Sequence, residues 1–385
     1  MMDDALKNTD LIWVDQPQKL RKIAEELAQQ DVVAIDTESN SLYAYQEQVC
    51  LIQFSTRKKD ILIDSLALTD LSPLAVIFKS NDILKVFHAA EYDLICLTRD
   101  YGFEFNRLFD TMVAARILGF ANVGLGSLLE QFFGIQMNKK YQRANWGKRP
   151  INPEMLAYAR QDSHYLIELQ EYLRKALKTS GAWELAQEDF KRLTQGIEDT
   201  TRSNGNDFWK LRGARELTPE NAAILKSLYQ FRETMAEKQN RPPFKVISHQ
   251  TLVELSRTPP ENWKRLVKHP SISENMAKRY GRGLLNAILE GQNQPPEYPP
   301  QNNHLPSDEL ERIDALRKWR KNTGERLGVP SDVILPRDVM LRIAAVEGSS
   351  MEQLKQQMWD VPYRFSQFGD DIKKILQKGV PSQSS

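Results

Sequence analysis

Apolar and polar positions follow two rhythms along this chain, and the change from one to the other divides it. Val32-Val33-Ala34-Ile35 is a short, β-branched apolar run ending in Asp36, and a run of that length and composition reads as a buried strand. Residues 49–56 (VCLIQFST) and 61–64 (ILID) read as two further strands, joined by the turn-like Arg57-Lys58-Lys59-Asp60, and residues 84–87 (LKVF) as a fourth. From Ala89 onward the apolar spacing becomes helical, and no strand signal is found beyond about residue 180. Close-set strands followed by strands alternating with helices predict a mixed sheet with helices packed on it, an α/β arrangement.

The helical remainder is written twice. A shift of 88 residues brings Leu228, Phe231, Arg232, Val246, Leu252, Leu255 and Leu266 onto Leu316, Trp319, Arg320, Ile334, Met340, Ile343 and Leu354. Tyr280-Gly281 falls on Phe368-Gly369, Ile288 on Leu376 and Gly291 on Gly379, all without a gap. Apolar positions and helix-stopping glycines kept in one register predict two copies of a single all-α module. Between them GQNQPPEYPPQNNHLP, rich in Pro, Gln and Asn, predicts an extended linker, and the final VPSQSS a disordered tail. The expected order is an α/β domain over 1–180, a helical connector over 181–212, helical modules over 213–292 and 307–380 with a linker over 293–306 between them, and a tail over 381–385.

Composition narrows the class. A chain of 385 residues argues for more than one domain. No stretch approaches the 18 or so consecutive apolar residues of a membrane-spanning helix, and MMDDALKNTD lacks an apolar signal region, so no membrane association is expected. Cys50 and Cys96, each in an apolar run, read as free buried thiols, and without a Cys/His cluster no structural zinc is expected. A reduced, cytoplasmic protein follows. The net charge of +1 hides an asymmetry: residues 1–200 carry 23 Lys and Arg against 29 Asp and Glu, or −6, and residues 201–385 carry 29 against 22, or +7. An acidic half joined to a basic half suits carboxylate chemistry in one and phosphate contact in the other.

Asp36-Thr37-Glu38 closes the first predicted strand. Residues i and i+2 of a strand share a face, so both carboxylates project together. Alone this reads as a solvated strand end; with further acids it reads as hard oxygen ligands for Mg²⁺ or Mn²⁺. Asp93, in VFHAAEYDLICL, falls in the first turns of a helix opening on small residues, with Glu91 as competitor. Tyr158 and Asp162, in LAYARQDSHYLIEL, are spaced i, i+4 and share a helical face, a phenol beside a carboxylate. Asp110 reads as a helix N-cap before Thr111.

The set, D-x-E, a later Asp and Y-x3-D, resembles the DEDD exonuclease superfamily in its tyrosine-bearing subclass, and within it ribonuclease D. LIQFS, FHAAEYDL, LFDTMVAARILG and NWGKRPINPEMLAYARQDSHYL are similar to ribonuclease D segments, and FWKLRGARELTPENAAILKSLYQFRETMAEKQNRPPFKVI resembles the junction into an HRDC domain. The likeness runs from about residue 10 to 380 and departs at Asn145, where an acidic residue is common. It implies a ribonuclease H-like exonuclease domain followed by two HRDC-like domains. It implies that Asp36, Glu38, Asp93 and Asp162 hold two divalent metal ions, Mg²⁺ or Mn²⁺, and that Tyr158 orients the attacking water. The expected activity is 3′→5′ hydrolysis of RNA to nucleoside 5′-monophosphates, with tRNA precursors or other small structured RNAs as substrate and no obligate protein partner. His88, Trp146, Lys148 and Arg149 are expected substrate contacts, Trp146 as a base-stacking platform, and His164 is a candidate on the same footing as His88. The rival readings are a DNA 3′→5′ exonuclease and a non-catalytic RNA-binding scaffold.

Overall fold

A computed structural model describes residues 9–195, 197, 207–300, 305–346 and 350–378. These fall into two compact units, one gathering the described residues up to 39, 49–197 and from 305 onward, the other gathering 40–48 and 207–300.

The first unit is built on a six-stranded sheet of order β1-β4-β3-β2-β5-β6: β1 (Asp10–Val14), β2 (Val32–Ser39), β3 (Val49–Ser55), β4 (Lys59–Ile63), β5 (Leu84–Phe87) and β6 (Leu108–Asp110). β2–β3–β4 is an antiparallel meander, and β1, β5 and β6 add parallel to its flanks. The four strands expected from the apolar runs are present, with β1 and β6 added at the two edges. Helices α1 (Pro17–Leu27), α2 (Ala75–Lys79) and α3 (Glu91–Tyr101) cover one face, burying Leu20, Ile23, Phe78 and Leu94 against Ile35, Ile52 and Phe54. α4 (Thr111–Ile117), α5 (Leu125–Phe133), α6 (Pro153–His164), α7 (Leu166–Thr179) and α8 (Trp183–Gln195) follow. α7 and α8 bury Leu169, Leu173 and Phe190 with Ala34, Val86 and Phe109 in a second core. Cys50 and Cys96 are buried and form no disulfide, as expected.

The second helical copy also belongs to this unit. It comprises α14 (Ser307–Leu327), α15 (Ser331–Ile334), α16 (Arg337–Ala344), α17 (Met351–Gln357) and α18 (Pro362–Lys378) around Leu316, Met340, Ile343 and Leu354. It is docked on α8 by charge. Arg364, fully buried, donates to Glu188 at 2.6 Å, to Asp189 at 2.9 Å and to the Val333 carbonyl at 2.9 Å. Arg192 of α8 reaches Asp360 at 2.6 Å and Asp338 at 2.7 Å.

The first copy, in the other unit, comprises α9 (Pro219–Lys238), α10 (Pro243–Val246), α11 (His249–Arg257), α12 (Trp263–Val267) and α13 (Glu274–Gln292). Leu228, Val246, Leu252, Leu255, Leu266 and Ile288 form its core, the positions that the 88-residue register pairs with buried residues of the second copy. Linker residue Glu297 lies along this copy, its backbone N–H on the Pro219 carbonyl at 2.9 Å and its carboxylate paired with Lys226. Linker residues 301–304, Gly379 and the predicted tail lie outside the described residues. No helix among the described residues is long and apolar enough to cross a membrane.

Candidate active site

β2 lies in the middle of the sheet, and its last four residues emerge from the core half-buried. Alternation sends Asp36 and Glu38 to one face. α6 lies against β2, β3 and β4, starting at Pro153 with Asn152 as N-cap (Asn152 Oδ1 accepts from Met155 N–H at 2.8 Å). One carboxylate oxygen from each of Asp36, Glu38 and Asp162 lies within 4.8 Å of the other two. Asp93, in the first turn of α3, is buried and borders this cluster, its charge felt by Glu38 and Asp162 and itself feeling that of Asp36. It accepts a short hydrogen bond from the Thr37 hydroxyl. The competitor Glu91 points to solvent.

Like charges crowded out of water resist ionisation. Burial first, then Asp162, raises the Asp36 carboxyl well above the usual range, and burial with Asp36 and its neighbours does the same to Glu38. Asp93 is raised by burial and by Asp36. Burial lifts Asp162 to about 7, against a hydrogen bond from Tyr158 that pulls it down. An anionic pocket of oxygen donors this close fits a hard divalent cation, which would neutralise what the fold itself leaves uncompensated.

Tyr158 donates to Asp162 one helical turn on. Its ring is buried between Trp146 and Tyr141, each at 6.1 Å between centroids. Burial and then the Asp162 charge raise its phenol above an already high value, so the hydroxyl stays protonated.

The opposite side of α6 is pinned by a buried polar cluster. Asp60 of β4 receives Arg160 at 2.5 Å, His164 at 2.9 Å and Ser55 at 2.7 Å, and Ser163 meets Ser55 at 2.8 Å. Arg160 and His164 thereby fix the rotation of the helix that carries Tyr158 and Asp162. Sequence reading missed this role. The signal was present, a second i, i+4 pair two residues out of phase with the first. Asp110 caps α4 as expected, accepting from Met112 and Val113 N–H at 2.8 and 3.0 Å. It also accepts from Ala89 and Ala90 N–H at 3.2 and 2.7 Å. It so holds the turn before Asp93, in which Ala89 takes the left-handed conformation (φ +60°) that a side chain disfavours.

Three of the four expected substrate contacts do other work. Trp146 is 1% exposed beneath Tyr158, so its ring offers no face to a base. Arg149 chelates Asp64 at 2.6 and 2.7 Å and donates to the Cys50 carbonyl at 2.8 Å, clamping its loop to the sheet rather than a phosphate. Burial lowers His88 to about 4, and its Nδ1 sits 2.9 Å from the Thr111 hydroxyl; it is a neutral ring within the fold. Lys148 remains exposed.

A mixed sheet that gathers three carboxylates beside a Tyr-x3-Asp helix defines the class of carboxylate-centred phosphodiesterases. Comparison with known proteins narrows it. Residues 11–178 match the 3′-5′ exonuclease family model, and residues 221–288 and 309–376 each match the HRDC domain. The exosome complex exonuclease RRP6 of Saccharomyces cerevisiae is 30% identical over 97% of this chain and 49% of its own length. Ribonuclease D of Jannaschia sp. is 29% identical over 92% of both chains. Among solved structures, that of Escherichia coli RNase D, an exoribonuclease involved in structured RNA processing, covers 96% of this chain at a TM-score of 0.71 and 21% identity. The chain spans about half or less of the RRP6-type relatives it matches. The chain thus resembles ribonuclease D over nearly its whole length and shares its make-up, a 3′-5′ exonuclease domain followed by two HRDC domains.

Proposed function

We propose that this chain is a 3′→5′ exoribonuclease that releases nucleoside 5′-monophosphates and trims the 3′ ends of tRNA precursors or similar small structured RNAs in the cytoplasm. The observation that carries the reading is the convergence of Asp36, Glu38 and Asp162 within 4.8 Å, bordered by Asp93. These four acids would hold two divalent cations, Mg²⁺ or Mn²⁺ by the hardness of an all-carboxylate donor set. The chemistry supplied by such cations is charge neutralisation and Lewis acidity at the scissile phosphate.

The protein's own contribution is positional. Tyr158 keeps its proton, so its hydroxyl orients a water rather than abstracting a proton from it. Asp162 holds that hydroxyl in place, and the Asp60–Arg160–His164 cluster holds the helix. Lys148, exposed in the loop before α6, would supply a phosphate contact.

Tyr158→Phe keeps the buried ring and removes the hydroxyl alone. The expected loss falls on kcat, on the order of 10²-fold, with KM little changed. Normal kcat with a raised KM would assign Tyr158 to packing against substrate instead. The substrate reading is tested by incubating the chain with a tRNA carrying extra 3′ nucleotides and with matched single strands of RNA and DNA, in Mg²⁺, Mn²⁺ or chelator. Preferential trimming of the RNA and the extended tRNA is expected; faster degradation of DNA overturns the reading.

A further inference from the structure

β6 ends the sheet, and no strand among the described residues pairs with its outer edge. The Lys85 N–H binds the Arg107 carbonyl at 3.1 Å, so in this parallel pair the backbone groups of Leu108 point the other way, out of that edge. α7 and α8 run beside β6 and leave a cavity of about 630 Å³, inside the roughly 300–1,000 Å³ range of small-molecule sites. None of the residues that line it belongs to the candidate active site.

The lining has three parts. Phe109, Phe190 and Trp183 make an aromatic wall, with Phe109 lying 4.6 Å from Phe190 and 6.5 Å from Trp183 between ring centroids. Gln170 of α7 is 3% exposed, and its Nε2 has no hydrogen-bond partner among the described residues. A donor buried without a partner costs free energy, and here it borders a cavity in which a ligand acceptor would satisfy it. The third part is charge. Arg107, Arg174 and Lys191 line the cavity and are exposed, and among the described residues none of them pairs with a carboxylate. No lining residue is acidic, in the half of the chain whose balance is −6. Arg107 takes the left-handed conformation (φ +48°) that a side chain disfavours, and its guanidinium is held by the Asn81 and Asp82 carbonyls.

We propose that this cavity is a second ligand site of the nuclease unit and takes a free nucleoside 5′-phosphate. The nucleobase lies along the aromatic wall with its polar edge on the Gln170 amide and the Leu108 backbone, and the phosphate meets Arg107, Arg174 and Lys191. A flat heteroaromatic ring with a hydrogen-bonding edge and an anion at one end matches every part of the lining. Inorganic phosphate leaves the wall and the amide unused, and a fatty acid has no polar group along its apolar body. Nucleoside 5′-monophosphates are also what the proposed reaction releases, so the site senses product. That link rests on the exoribonuclease reading; the binding does not, because it is measured in chelator, where no cleavage occurs.

Titration calorimetry of the full chain in chelator with AMP, GMP, CMP and UMP is expected to show a single site, with Kd between about 1 μM and 1 mM for at least one of them. Ribose 5-phosphate, which has the anion without the base, is expected to bind at least about tenfold more weakly. The double variant R174Q/K191Q changes two exposed residues that make no ion pair. It is expected to keep the wild-type melting temperature and to lose at least about tenfold in affinity with two charge-assisted contacts gone. Gln170→Leu separates ligand from scaffold, because an amide nitrogen without a partner holds nothing in place. This variant is expected to melt no lower than the wild type while its affinity falls about 3- to 10-fold. Absence of binding by all four nucleotides up to about 10 mM overturns the proposal. So does unchanged affinity in both variants, or a Gln170→Leu protein that melts lower with affinity intact. Ribose 5-phosphate binding as tightly as the nucleotides overturns it in favour of a bare anion site. A dinucleotide that binds more tightly than any mononucleotide overturns it in favour of a strand end.

Discussion

In chelator at pH 8, Asp162→Asn and Asp36→Asn proteins are expected to melt at a higher temperature than the wild-type chain, and neither is expected to regain RNA cleavage when cation is restored. Both halves follow from the same crowding. In the folded chain without cation, all four acids are raised above their ordinary values, Asp162 to about 7. The folded state therefore holds protons that the unfolded chain has released, and stability falls as pH rises from about 4, where unfolded carboxyls titrate, through 7. Replacing one acid with a neutral isostere removes part of that loss. The expected gain is at least about 2–4 °C at pH 8, vanishing below about pH 4, where the acids are protonated in the folded and the unfolded chain alike. The catalytic cost is opposite in sign: even supporting residues of a metal site are worth 10–100-fold, so a ligand is worth at least about 10². Melting and initial rates in the same buffers check it. A variant that melts lower than wild type at pH 8, or keeps more than a few per cent of the rate, removes the carboxylates from this role.

Arg364→Met is expected to cost the protein about 3–5 kcal/mol. Arg364 is fully buried and satisfies Glu188, which is almost as deeply buried, together with Asp189 and the Val333 carbonyl. Removing the guanidinium leaves an uncompensated carboxylate in a desolvated site, and burial already raises Glu188 despite the pairing. Adding Glu188→Gln to Arg364→Met should restore most of the loss, because the charge that suffers is then gone. Denaturant midpoints for the two single variants and the double variant measure the coupling. Additive losses in the double variant would mean that the two residues do not act as a pair.

The sequence read well where the physics is local. β2 to β5 were legible because each is a run of apolar residues within one window, and the two HRDC copies because every helix pair from α9/α14 to α13/α18 keeps the 88-residue offset. β1 was missed because it is an edge strand with two of its five residues exposed, and β6 because three residues carry no periodicity before Asp110 starts α4. Asp36 with Glu38, and Tyr158 with Asp162, were singled out by spacing, which strand and helix geometry convert directly into shared faces, whereas Asp93 entered only through the resemblance of the whole set. What failed was non-local. Arg149 looks like a free base until Asp64, 85 residues away, is seen to hold it, and Trp146 looks like a loop aromatic until Tyr158 covers it. Arg364 and Glu188 are 176 residues apart, and each alone reads as a solvated surface charge.

The central claim is most directly tested by the product released from the end of a strand. A single-stranded RNA labelled in its 3′-terminal nucleotide, and a second labelled at its 5′ end, are incubated with the full chain in Mg²⁺ or Mn²⁺ and in chelator. The account predicts that, with cation only, the 3′ label appears at once as a nucleoside 5′-monophosphate while the 5′-labelled strand shortens one nucleotide at a time. Internal fragments, release from the 5′ end, or equal cleavage in chelator would contradict it.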